Sequence, residues 1–141
     1  MAVEAYPNCR FYILIGDSPE GVFTEVSGLQ MEMDVTDYQE GGNNNFVHRL
    51  PGFTKTNNLT LKRGIIRSND LYKWCADISS GKIERKHVTV IMYDPAGREV
   101  LRWDFLNAYP VRWVGPEFQA ANAVAAVETI ELAHEGIMVG N

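Results

Sequence analysis

Apolar and polar residues alternate, or run together, in short stretches along most of this chain. Phe11 to Gly16 is a brief aromatic and β-branched run that predicts a buried strand, closed by the turn cluster Asp17-Ser18-Pro19-Glu20-Gly21. From Val22 to Glu40 the pattern is more regular. Leu29, Met31, Met33 and Val35 alternate with Gln30, Glu32, Asp34 and Thr36, which predicts one long half-buried strand. The phase slips at Tyr38, and a slip of this kind predicts a bulge or bend. Glu40 to Asn45 reads EGGNNN, and Leu50-Pro51-Gly52 comes soon after, so Glu40 to about Asn58 is expected to form a long loop. A loop of that length in a small domain usually has a function of its own.

Alternation returns at Leu59 to Lys62. Ser68 is then a suitable N-cap, and Asp70 stands where a helix dipole favours a negative charge. Leu71, Trp74, Cys75 and Ile78 recur at i, i+3, i+4 and i+7, one face of a short amphipathic helix, with Gly81 as its stop. His87 to Tyr93 and Glu99 to Phe105 flank the turn Asp94-Pro95-Ala96-Gly97 and predict an antiparallel hairpin. Beyond the hairpin, Tyr109-Pro110 and Gly115-Pro116 punctuate the chain. Asn122 to Glu135 is ambiguous, because its Ala, Glu and Leu favour a helix while neither period is clean. The residues thus predict a mostly antiparallel β domain with one docked helix and one long loop.

Composition changes this picture little. The 141 residues fit a single domain, 1–141, able to bury a core without a metal or disulfide. A net charge of −5 argues against a surface that grips nucleic acid, which needs clustered cations. Cys9 and Cys75 form no metal or redox motif and are expected to be unpaired, as in a reducing cytoplasm. The start of the chain has no basic-then-apolar leader pattern, and no apolar run approaches the ~20 residues of a membrane helix.

A catalytic pattern is not evident. His48, His87 and His134 have no metal-ligand spacing among themselves or with the cysteines. Nucleophile-elbow, phosphate-loop and dinucleotide motifs are missing. Glu32 and Asp34 point the same way on a strand, so they could form an acid/base pair, but a solvated acidic face is the preferred reading. Lys62-Arg63 and Arg85-Lys86 read as solubilising strand ends or as contacts to acidic neighbours. Trp74, Trp103 and Trp113 read as core or interface anchors.

Several stretches, weak singly, fall in one order: Glu25 to Leu29 (EVSGL), Tyr38 with Glu40-Gly41-Gly42, Leu50-Pro51-Gly52, Lys55, Leu61 to Gly64 (LKRG), Leu71 with Trp74, Arg102-Trp103, Asn107-Ala108, Tyr109-Pro110, Trp113, Gly115-Pro116 and Glu128 to Gly136 (ETIELAHEG). This order resembles the tail-tube proteins of contractile phages and the inner-tube subunits of extracellular contractile injection systems, from about residue 10 to residue 137.

The resemblance implies a mainly β fold, a small antiparallel barrel or sandwich with one flanking amphipathic helix. It implies a strand over Val124 to His134, hexameric rings stacked into a tube, and a surrounding contractile sheath. Further expected partners are baseplate or hub and tail-terminating proteins, with DNA or protein cargo in transit. Catalysis, cofactors, metals and direct membrane insertion are not expected. Assembly is expected in the bacterial cytoplasm without a signal peptide, with a virion tail or released particle as the destination. The loop bearing Glu40, Gly41, Gly42, Leu50, Pro51, Gly52 and Lys55 is expected to touch the next ring. The strand from Val22 to Tyr38 is expected in the channel wall, with Glu32 and Asp34 as candidate lumen-facing residues. A tube-initiating or baseplate-proximal paralogue is the alternative within the family. A small ligand-binding or enzymatic β-barrel is the alternative outside it.

Overall fold

The structure is a computed structural model that describes residues 10–38, 41, 47–64, 68–115 and 127–140. The strands in chain order are β1 (Arg10–Ile15), β2 (Ser18–Phe23), β3 (Glu25–Ser27), β4 (Met31–Tyr38), β5 (His48–Thr56), β6 (Leu59–Gly64), β7 (Lys86–Tyr93), β8 (Glu99–Val114), β9 (Val127–Ala133) and β10 (Gly136–Gly140). One helix, α1 (Asp70–Ser79), lies between β6 and β7.

The main sheet runs β2-β1-β7-β8-β9-β6-β3, with β10 also paired to β8. The 16-residue β8 makes the fold. Its first part pairs with β7 and β10, and its end pairs with β9. At the change of partner, Asn107 takes φ 51, and its side-chain amide donates to Glu135 Oε2 at 2.7 Å. Asparagine tolerates this left-handed conformation better than other non-glycine residues. The strand therefore carries the sheet from one layer to the next. Ile13, Phe23, Leu61, Val88, Val90, Phe105 and Ile130 are among the residues buried in the core.

The ladder is open rather than closed into a barrel: β2 and β3 end the path. Both ends belong to one stretch of chain, bent at Thr24, whose backbone N–H donates to Lys62 O at 2.8 Å. The expected single strand over residues 22–38 is thus three strands. The second break falls at Gly28, with φ +94, where a Cβ would collide with the carbonyl of Asn58. Only glycine satisfies both the backbone angle and this close approach, which accounts for the glycine of the EVSGL stretch.

Tyr109-Pro110 likewise does not interrupt β8. Pro110 is buried opposite Leu132, and the register shifts just after it, leaving Val111 as an extra, exposed residue. Past Ala108 the described residues pair β8 with β9 alone, so Pro110 stands on an edge beside a bulge, where proline is tolerated. The ambiguous C-terminal segment is strand over Val127–Ala133. Its expected start at Val124 lies outside the described residues, as does Cys9.

Helix α1 begins one residue later than Ser68 would cap it. Asn69 is the N-cap, and Ser68 Oγ instead accepts the Asp70 N–H at 3.3 Å. Leu71 and Trp74 are buried, Ile78 packs partly buried on the core, and Cys75 is half-buried and free. Trp74 Nε1 donates to Glu84 O at 2.8 Å, and the Lys86 ammonium lies 5.2 Å from its ring centre. Gly81 takes φ +96 just beyond the helix, as a stop requires.

Candidate assembly surface

The expected long loop from Glu40 to Asn58 is half strand. β5 pairs antiparallel with β4 in a two-stranded sheet separate from the main one. Leu50, Pro51, Gly52 and Lys55 therefore stand on a strand. The turn signal of Pro51-Gly52 misleads because these residues adjoin a bulge. Met33 pairs with Thr54 and Val35 with Pro51, so β5 carries one residue more than β4 over that interval. A Cβ on Gly52 would come within 3.1 Å of Asp34 O, a tight contact. Among the described residues β5 pairs with β4 alone, so Pro51 also stands on an edge beside a bulge, where proline is tolerated. Gly41 is a turn residue with open space around its Cα. Glu40 and Gly42 lie outside the described residues.

The two faces of this ribbon differ. Met31, Met33 and Val35 share one face, opposite Thr56, Thr54 and Pro51. Their exposures are 52%, 53% and 51%, so half of each side chain meets water in the single chain. Glu32, Asp34, Thr36 and Tyr38 point the other way. There Lys55 Nζ lies 2.9 Å from Asp34 Oδ1, and Glu32 is paired across the ladder with Lys55. Hydrogen bonding to Asp34 holds the Lys55 ammonium above its ordinary pKa. The candidate acidic face is thus partly neutralised by a lysine from its own ribbon. Phe53, beside the bulge, is the most exposed large apolar residue described.

A second charged group escaped the sequence reading. Arg63 is 1% exposed, not a solubilising strand end. Its Nε donates to Glu128 Oε2 at 3.1 Å, and its Nη1 donates to Glu20 O at 2.9 Å. The guanidinium also lies 5.0 Å from the Phe23 ring centre, and Trp113 Nε1 donates to Glu128 Oε1 at 2.8 Å. Burial raises the Glu20 carboxyl above its ordinary pKa, outweighing the opposing pull of Arg63, 3.5 Å away. The signal was in the alternation itself, since Leu59, Leu61 and Arg63 share one phase, as do Glu128, Ile130 and Leu132. The remaining basic residues of the two dipeptides are held within the chain. Lys62 pairs with Glu25, Arg85 with Glu135, and Lys86 covers Trp74.

Among the described residues no group of three or more His, Cys, Asp or Glu could hold a metal ion. His87 and Thr89 converge on Asp104 Oδ1, at 3.2 and 2.7 Å, on adjacent strands. His134 donates through Nε2 to Asn57 O at 2.9 Å, tying the end of β9 to the β5–β6 link. Clefts of roughly 240 to 320 Å³ lie open on the surface; the one beside α1 is lined by charges of both signs, including Glu20, Asp70, Lys73 and Lys86. No described helix is long and apolar enough to cross a membrane.

Comparison with known proteins gives this arrangement a context. The chain is similar to a protein in the anti-feeding prophage cap, the tube-terminating cap, with 29% identity, 99% of this chain and 94% of that one covered, and a TM-score of 0.84. It is similar to a protein in the PVC extracellular contractile injection system sheath-tube complex in the extended state, with 28% identity, 96% and 91% covered, and a TM-score of 0.83. It is also similar to one in the PVC sheath/tube terminator, with 27% identity, full coverage of both chains at 100%, and a TM-score of 0.85. No curated protein sequence matches. Residues 7–138 match the sequence model of one family, described as T4-like virus tail tube protein gp19, and the chain belongs to that family.

Proposed function

We propose that this chain is the repeating subunit of the hollow inner tube of a contractile tail or injection machine. It assembles as hexameric rings that stack into a channel for DNA or effector cargo inside a contractile sheath. The observation that carries the reading is the β4–β5 ribbon. A lone two-stranded ribbon is marginal in water, yet this one keeps Met31, Met33 and Val35 half exposed on one face. Fully burying such a side chain is worth about 1.5–3 kcal/mol, so burying the exposed halves contributes about 1 kcal/mol each, repeated at every subunit. A neighbouring copy is the natural cover in a family of tube proteins. The ribbon then takes the inter-ring role, through Gly41, Leu50, Pro51, Gly52 and Lys55, with Glu40 and Gly42 in the connection. Glu32 and Asp34 belong to the opposite face, which turns to the lumen.

The role is structural rather than enzymatic, and sheath, baseplate and terminator proteins are the expected partners. The particle is built inside the bacterium and works as a virion tail or a released machine. A baseplate-proximal or terminating ring of the same family is the second reading. It is favoured by the likeness to cap and terminator proteins as well as to a sheath-tube protein.

The test is Val35→Lys, studied by negative-stain electron microscopy and sedimentation beside the unaltered protein. A folded Val35→Lys chain that forms no rings or tubes, where the parent does, is the expected result. Normal tubes from the variant would remove the ribbon from the interface. Glu32→Lys with Asp34→Lys should leave tubes intact and alter cargo loading; loss of tubes instead would assign these residues to assembly.

A further inference from the structure

We propose that Met31 and Met33 form an oxidation-sensitive switch on assembly, taking peroxide as the oxidant; the inference rests on the ribbon's docking against a neighbouring copy. Both thioethers stand on one face of β4, two residues apart, with exposures of 52% and 53%. The residues across the ladder are threonines, Thr56 and Thr54, too short to cover a methionine sulfur. The Lys55–Asp34 ion pair belongs to the opposite face, and the Asp37–Arg49 pair stands further along the same face, beyond Val35. In the free chain about half of each methionine is thus open to solvent and to a small oxidant.

Hydrogen peroxide transfers one oxygen atom to the thioether sulfur. The peroxide O–O bond breaks, an S–O bond forms, sulfur gives up two electrons, and the other oxygen leaves as water. The product sulfoxide is polar and a strong hydrogen-bond acceptor where the thioether was soft and apolar. Burying it strips water from the sulfoxide oxygen, and an apolar docked surface supplies no replacement donor. Two such groups per subunit raise the protein concentration needed for assembly roughly thirtyfold or more, given about 1–3 kcal/mol for each unpaired buried polar group and 1.4 kcal/mol per tenfold. Once the tube has formed, the same sulfurs are covered and protected. The chain thus senses oxidant only before assembly, and methionine sulfoxide reductases reverse the block.

The protein carries its own references for the test. Met138 on β10 is as exposed as the pair, at 55%, and Met92 on β7 is half-buried. The purified chain is treated with hydrogen peroxide before and after assembly, oxidation is mapped by peptide mass spectrometry, and pelletable tube is measured against protein concentration. The expected result is sulfoxide at Met31 and Met33 in the free chain, protection of both in tubes, and a raised assembly concentration that a reductase restores. A Met31→Leu/Met33→Leu double variant, compared with itself with and without peroxide, should show no change in its own assembly concentration, because leucine has no thioether to oxidise. Equal oxidation of the pair in tubes and in free chain would sink the docking reading itself. Protection in tubes with unaltered assembly of the oxidised chain would overturn the switch alone. Equal inhibition of the leucine variant by peroxide would also overturn it, by assigning the effect to another residue.

Discussion

Arg63 illustrates how one residue ties distant segments of this chain together. From β6 it reaches Glu128 on β9 and the Glu20 carbonyl on β2. Removing it strands buried carboxylate charge, the expensive half of breaking a buried pair. Arg63→Ala should lower unfolding stability by about 3–5 kcal/mol, read from the urea midpoint at constant slope. Two carboxyls make opposite pH predictions. Glu20 has a raised pKa, so the folded state holds its proton longer than the unfolded chain does. Stability therefore falls as pH rises past the ordinary value of 4.5 and levels off above the raised folded value, and Glu20→Gln should remove that fall. Asp94 has a lowered pKa, first because its carboxylate accepts the Arg98 backbone N–H, at 2.8 Å. Its contribution is full above the ordinary 3.8 and lost as pH falls through the folded value, and Asp94→Asn should flatten that acid limb of a thermal-melt series.

Among the elements, the β4–β5 ribbon stands apart. It belongs to no larger sheet, whereas β7 and β8 lie within the main sheet over the buried core. Local opening costs least where few apolar contacts hold a segment. Backbone amides of β4 and β5 in the free chain should therefore exchange with deuterated water orders of magnitude faster than those of β7 and β8. Assembly should slow the ribbon selectively. Exchange at equal rates in ribbon and core of the free chain would mean that the ribbon is held by the main body, and the case for a neighbouring copy as its support would weaken. Helix α1 is different in kind, since its Leu71 and Trp74 are already buried within the subunit.

For the molecule as a whole, the proposed docking of the ribbon would draw on apolar area more than on charge. The chain carries a net −5, so copies repel weakly at long range, and docking must overcome this. Sulfate strengthens apolar burial, and cooling weakens it. Tubes should accordingly form at lower protein concentration in sulfate than in chloride of matched ionic strength, and at higher concentration in the cold. The opposite order, measured by sedimentation, would transfer the interface to ion pairs.

Much of this was determined along the chain, because short-range patterns record which side of a strand or helix is covered. The helix face Leu71, Trp74 and Ile78 and the β7–β8 hairpin with its Asp94 turn arise from period and turn chemistry, whereas the bend expected at Tyr38 is absent, since β4 pairs regularly there and the bulge lies between Met33 and Val35 with its extra residue on β5. Tertiary structure decided what period cannot encode. Pro51-Gly52 and Tyr109-Pro110 look like breaks, yet each lies beside a bulge in a stretch that pairs on one side only among the described residues, where proline is tolerated. Arg63 looks like surface until Glu128 and Glu20 are brought to it from β9 and β2. Met31, Met33 and Val35 look buried because alternation marks a face meant to be covered, and it does not say by which molecule; within one chain that face is still half in water.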